Sequence, residues 1–315
     1  AATGLSAAIA PRYDGRRAAL SIRFDDSHPT HLSKAIPILR EYGFRGTFMV
    51  NPGERQAGSR RRSAFQDHRT EWEACARRGD QEFANHTLHH SGADDDESME
   101  RQIAEASKAI WALFPQKSRL LALNLGGGTK WETTKTLRYY LDKYHLFDAS
   151  TNSTGMDDTY GNRVATFRRM LDGHIERGLW FRAHYHYIGE GLSTTEANFR
   201  AALDVAKEHE ADLWIAGMAD IHKYQTERRG AKLEIESQGP RRATVWLTCS
   251  TDPEFYDQPL TIEVAIPQSW FADRVVVRDG EGQGIDTREA RGDEADVLRF
   301  DVPPLDGRYT IETSP

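Results

Sequence analysis

The chain has 315 residues, and 48 acidic against 41 basic side chains leave it a formal charge of -7, so it lacks the basic surface that nucleic-acid phosphates demand. Mean hydropathy is -0.67 and no apolar run approaches the ~18 residues of a bilayer span, so the expectation is a soluble protein with no membrane partner. At 35.7 kDa it can build one large core and a second unit. The two cysteines, Cys75 and Cys249, fall in different expected domains and make no disulfide framework.

The opening AATGLSAAIAPRYDG has neither the charged nor the apolar region of a secretory signal, and residues 1–16 are set apart as an N-terminal extension. AALSIRF reads as a strand, HPTHLSKAIPILREYG as a helix closed by Gly43, and GTFMV as the next strand. GDQEFAN leads as a strand into His86. SMERQIAEASKAIWALF puts Met99, Ile103, Ala106, Ile110 and Leu113 on one helical face, with Asp94 to Glu97 serving as cap and dipole partners at its start. RLLALNL, LWFRAHYHYI and DLWIAGM read as strands, TTKTLRYYLDKY and TEANFRAALDVAKEH as helices. This alternation predicts parallel strands with crossover helices over residues 17–230, closer to a barrel than to an open sheet.

From Lys232 the rhythm changes to short strands between Gly, Pro and Asp turns: KLEIES, ATVWLTCS, PLTIEVAIP, DRVVVRD, VLRFDVP and YTIET. Leu260, Ile262, Val264 and Ile266 alternate with polar neighbours. A smaller β-sandwich is expected over 231–315. Its aromatic residues, Trp246, Phe255, Tyr256 and Trp270, leave open whether it binds carbohydrate or serves only for packing.

Chemistry concentrates at two strand ends. Asp25 and Asp26 close the first strand, and His86-Thr-Leu-His-His90 follows GDQEFAN. An Asp-Asp pair after a strand is ordinarily a cap, and His-x-x-x-His alone is ordinarily a surface feature, although the spacing puts both rings on one side of a helical turn. Together, at the ends that line the active face of such a barrel, they are a carboxylate and two imidazoles for a divalent ion with one carboxylate to spare.

FDD followed by GDQEFANHTLHH resembles the first two motifs of the polysaccharide deacetylases (carbohydrate esterase family 4), T-F-D-D-G and G-H-E-I-x-N-H-[ST]-x-x-H. The likeness covers roughly residues 17 to 228 and implies a distorted (β/α)7 barrel. It implies Asp25 as catalytic base and Asp26, His86 and His90 as ligands of one divalent metal ion; zinc suits such ligands, and cobalt, nickel or manganese also fit.

Later motifs diverge. Where many members have R-P-P-Y-G, this chain has Asn124-Leu-Gly-Gly-Gly128, without the arginine that orients the base. Arg23, or Arg182 on a later strand, are the candidates to replace it, and the sequence places neither beside Asp25. Gly127 aligns with the residue whose backbone N–H helps hold the oxyanion; the alternative is a plain glycine turn. The fourth, tryptophan-containing motif is not recognisable. The last motif, a strand ending in histidine, has two candidates, His184 and His186, on one face of a strand. His186 is preferred because Tyr-Ile-Gly-Glu-Gly follows it as in a branch of the family that also carries a W-x-A-x-x-x-D-x-x-x-Y segment, here Trp214 to Tyr224.

The implied activity is removal of acetyl groups, N- or O-linked, from a polysaccharide or oligosaccharide at an extracellular or periplasmic location. Trp131, His184 and Arg182 are candidate substrate contacts, and Arg60 to Arg62 candidate contacts for an anionic sugar. Two alternatives stay open: a non-catalytic glycan-binding protein that keeps the barrel, and an amidase acting on a small cyclic amide.

Overall fold

The computed structural model describes residues 5–54, 65–114, 118–189, 193–271, 274–291 and 296–314; Arg60 to Arg62, and Glu190 with Gly191 after His186, lie outside the described residues. The chain divides into two units, residues 18–221 and a second made of 1–17 with 222–315.

Strand Ala18–Asp25 is buried along its whole length, as a strand covered on both faces of a parallel sheet must be. It pairs in parallel with Trp180–Tyr185 on one side. On the other it pairs with Leu213–Ile215 along its first half and Thr47–Val50 along its second. The sheet continues through Glu82–Asn85 and Leu121–Leu123 to Leu146–Asp148, and past Trp180–Tyr185 to Thr154–Gly155. It is the curled parallel sheet of the expected distorted (β/α)7 barrel. Helices return the chain between strands, and their apolar faces fill the layer outside the sheet.

Local signals account for most of these elements. Gly43 ends helix Ile36–Tyr42 in the left-handed conformation (φ 73), which glycine adopts without steric cost. Helix Asp96–Leu113 begins with Asp95 and Ser98 in a reciprocal capping box, and it buries Met99, Ile103, Ala106 and Ile110. One long helix, Arg163–Arg177, is absent from the sequence expectations. Asn162 caps it, Gly178 closes it and Phe167, Leu171 and Ile175 are its buried stripe; the many charged residues between these three blur the apolar period.

In the second unit, Ser6–Ile9 pairs antiparallel with Leu260–Ala265, so the N-terminal segment is a strand of the all-β unit. That sheet continues through Asp296–Val302 to Arg288–Arg291, and a second runs Ala231–Ser237, Arg242–Cys249, Gly307–Ser314, Arg274–Arg278, Gly284–Ile285. The expected alternation holds at Leu260, Ile262, Val264 and Ile266, all buried. The unit reclaims the end of helix Met218–Arg229, because the Tyr224 hydroxyl donates to the Ala10 carbonyl at 2.7 Å and Arg228 Nε to that of Ile9 at 3.2 Å. The division therefore falls at 17/18 and 221/222, where turn composition had suggested 16/17 and 230/231. Of the aromatic residues considered for sugar binding, Trp270 is buried and donates to the Pro240 carbonyl, while Trp246 is exposed beside Arg308.

Candidate functional site

In a strand, neighbouring side chains point to opposite faces, so two consecutive aspartates cannot both face the inside of the sheet by pleating alone. Asp25 does so as the last residue of strand Ala18–Asp25. Asp26 then takes φ 83 and Ser27 φ 52, a left-handed turn that swings the second carboxylate round beside the first. Such conformations cost non-glycine residues on the order of 1–3 kcal/mol each, and the surroundings hold them. The Ser27 hydroxyl accepts from the Asn51 backbone N–H, and the Asn51 amide donates to the carbonyls of His86 and Thr87. Asn51 thereby ties the aspartate turn to the histidine turn.

The His86–His90 segment is a bend without helical hydrogen bonding, with Thr87 at φ 69 and His90 at φ 55, so the helical turn expected from the four-residue spacing does not form. The left-handed residues fold the bend tightly enough to bring the rings together all the same. Their centroids are 4.6 Å apart and nearly perpendicular. His86 Nε2 lies 3.1 Å and His90 Nε2 3.7 Å from Asp26 Oδ1. His86 Nδ1 donates to the Asn124 carbonyl at 2.8 Å, which leaves the Nε2 lone pair facing Asp26.

These three residues can hold a divalent cation. One donor atom from each lies within 4.8 Å of the others, and bonds of 2.0–2.2 Å around a tetrahedral ion place donors about 3.4 Å apart. Gly126 completes the fit. It has φ +83, and a Cβ there would fall 2.3 Å from His90 Nε2. Gly126→Ala is therefore expected to displace His90 and lower metal affinity by at least tenfold, the scale of loss when a supporting contact of a ligand is removed. Gly127→Ala, with nothing within 4 Å of its added methyl, should bind as the parent does; equal affinities for both variants by competition with a chromogenic chelator would contradict this.

Asp25 is almost completely buried. Burial pushes its carboxyl up, but the Arg23 guanidinium and then the His86 and His184 imidazoles outweigh that and hold it below the usual range. Arg23 Nε lies 2.9 Å from Oδ1 and Nη2 donates to Oδ2 at 3.1 Å. The Asn124 amide donates to Oδ2 at 3.2 Å. Arg182, the other candidate partner for this carboxylate, is engaged elsewhere: its guanidinium stacks 3.8 Å from the Trp180 ring centre and donates to the Thr151 carbonyl.

His184 and His186 share the inward face of the neighbouring strand, ring centres 5.9 Å apart. His184 is in register with Arg23, and burial, then Arg23, depress its pKa to about 4, so it is neutral at pH 7. His186 differs through a residue that the sequence reading missed. Asp157, wholly buried, accepts from His186 Nδ1 at 2.6 Å and from its backbone N–H at 3.1 Å. Burial alone would lower the His186 pKa; the hydrogen bond to Asp157, with the field of Asp25, raises it above the ordinary value. The only signal for Asp157 in the sequence is a second Asp-Asp pair, Asp157-Asp158, following Thr154–Gly155. Beneath His186, the ring of His31 bonds the His186 carbonyl at 2.5 Å; burial lowers its pKa to about 4, so the neutral ring donates. The Tyr187 hydroxyl donates to Asp26 Oδ2 at 3.2 Å.

The remaining candidates are more peripheral. Gly127 is exposed in the loop after Leu121–Leu123, and Trp131 is half-buried and packs against the barrel core.

The curled parallel sheet carries an Asp/His/His cluster, a spare aspartate and an Asp–His pair at its strand ends, the C-terminal face on which parallel barrels gather their functional residues. Residues 12–144 match the family described as polysaccharide deacetylase. A curated relative, a gellan lyase from a Bacillus species, is 19% identical over an alignment of 292 positions that covers 82% of this chain and 11% of that protein; the chain thus spans about a tenth of its relative's length. Among solved structures, the chain is similar to the peptidoglycan deacetylase PdaC of Bacillus subtilis (14% identity, 68% of this chain and 94% of that one, TM-score 0.44). It is also similar to a carbohydrate esterase family 4 pseudoenzyme of Bacillus anthracis (12% identity, 64% of each chain, TM-score 0.42).

Proposed function

We propose that the protein is a metal-dependent carbohydrate deacetylase that releases acetate from an acetylated polysaccharide or oligosaccharide. The observation that carries this reading is the convergence of an ionised, arginine-bound Asp25 with the Asp26, His86 and His90 cluster and with a histidine oriented by Asp157. Asp26, His86 and His90 would hold a divalent cation, for which zinc suits the donors best, and when bound it would supply Lewis acidity to lower the pKa of water toward ~7 and polarise the acetyl carbonyl. Asp25, ionised at neutral pH, takes the proton of the attacking water. His186 has Nδ1 committed to Asp157, so its Nε2 delivers a proton to the departing sugar oxygen or nitrogen, a positioned transfer worth typically ~10²- to 10⁴-fold. The Gly127 backbone N–H is the proposed donor to the developing oxyanion, and His184, neutral beside Arg23, adds no competing charge.

Acetylated polysaccharides favour an extracellular or periplasmic place of action; among the described residues no helix is long and apolar enough to cross a membrane. The measurement that tests the reading is acetate release from acetylated xylo-oligosaccharides and from N-acetylglucosamine oligomers by the zinc-loaded chain. No release from either substrate class would favour the glycan-binding alternative.

The raised His186 pKa gives a pH prediction. A histidine acid works only while protonated, so activity falls as pH rises through its pKa. Asp157→Asn removes the charge that raises this pKa, and the alkaline limb of the kcat/KM profile should move to lower pH; an unmoved limb would remove Asp157 from the acid's control.

A further inference from the structure

We propose that Arg23 is the positioning residue of the catalytic base: the strand that carries Asp25 also carries the cation that aims it. The inference rests on the deacetylase reading above and goes beyond it by saying how the base is held. Arg23 and Asp25 are two residues apart on one strand, so pleating puts both on the inner face. The guanidinium engages both carboxylate oxygens, through Nε at 2.9 Å and Nη2 at 3.1 Å, while Nη1 donates to the Ala149 carbonyl at 2.7 Å. Both side chains are about 95% buried, at 5% exposure each. A planar guanidinium that donates to one carboxylate oxygen and to a backbone carbonyl, with its Nε within ion-pair distance of the other oxygen, has little rotational freedom, and it passes that rigidity to Asp25.

The loop side contributes a neutral group. The Asn124 amide supplies one further bond to Asp25 Oδ2, its own oxygen accepts from the Gly126 N–H, and its carbonyl accepts from His86 Nδ1. Asn124 thus links base, metal ligand and glycine turn without carrying charge. The positive charge that orients the base belongs to the centre of the sheet, and the loop after Leu121–Leu123 adds only the neutral Asn124 hydrogen bond to it.

The test is a double-substitution cycle on the full zinc-loaded chain, with acetylated xylo-oligosaccharides and N-acetylglucosamine oligomers as substrates. Arg23→Lys keeps the charge and loses the fork; Arg23→Gln keeps a donor and loses the charge. Both are expected to lower kcat, Arg23→Lys by about 10²-fold, the typical cost of misplacing a reacting group by an ångström, with KM unchanged within a factor of about two and metal content equal to the parent. In the Asp25→Asn background, Arg23→Lys should cost nothing further, because a positioning residue has nothing left to position. Two results overturn the proposal while leaving the deacetylase reading intact: Arg23→Lys at the parental kcat, or a loss that multiplies with that of Asp25→Asn. Lost metal together with lost activity overturns it as well, since Arg23 would then act on the ligand cluster. A parent chain that releases no acetate, or an Asp25→Asn chain at full rate, sinks the catalytic reading and this proposal with it.

Discussion

Asp25→Asn is expected to keep its metal and lose acetate release by about 10³-fold, within the range for removing a positioned base and equivalent to about 4 kcal/mol of transition-state stabilisation. The amide cannot take a proton from water at neutral pH, yet its oxygen can still accept from Arg23 and its volume is unchanged. Metal binding should survive, because among the described residues the group whose donors lie within 4.8 Å of one another is Asp26, His86 and His90, and Asp25 is not part of it. The substitution has a second consequence. It leaves the Arg23 guanidinium buried without its counter-charge, and breaking a buried pair by removing one partner costs on the order of 3–5 kcal/mol. The variant should therefore melt at lower temperature while remaining folded and metallated at 25 °C. Stoichiometric metal with full activity would show that another group takes the proton.

Removal of the metal is expected to abolish activity and to lower thermal stability together. In the metal-free chain two imidazoles and a carboxylate stay crowded on left-handed turns at Asp26, Ser27, Thr87 and His90, and a bound cation would offset that strain. At a free zinc concentration 1,000 times the dissociation constant, binding to the folded state alone contributes about 4 kcal/mol. Dialysis against a chelator should lower the melting temperature, and added zinc should restore both melting temperature and rate. His86→Ala should show neither response: without one of three donors, added zinc shifts nothing and acetate release stays absent. An unchanged rate in chain shown to be metal-free by elemental analysis would place the chemistry outside this cluster.

Much of this site was legible as pattern. Asp25, Asp26, His86 and His90 stood out because each pair follows an apolar strand, and strand ends of such a barrel converge whatever the sequence between them. The helical turn assumed for His86 to His90 was not borne out: spacing by four is helical only if the backbone is, and Thr87 and His90 are left-handed. Arg23 could have been placed from strand periodicity, since residues two apart share a face. Asp157 could not, because its partner His186 lies 29 positions away and only pairing of Thr154–Gly155 with the His184 strand brings them together.

The sequence by itself determined the alternation of strands and helices, the switch to β structure after residue 230, and the order of the candidate site residues, because periodicity, caps and turn residues act over a few neighbours. Only the tertiary structure decided that Ser6–Ile9 joins the all-β unit, that Arg23 and not Arg182 holds Asp25, that Gly126 is the glycine against His90, and that Asp157 orients His186. Those outcomes depend on which strands become neighbours and how tightly loops from distant positions approach, and these are properties of packing that no short window of residues contains.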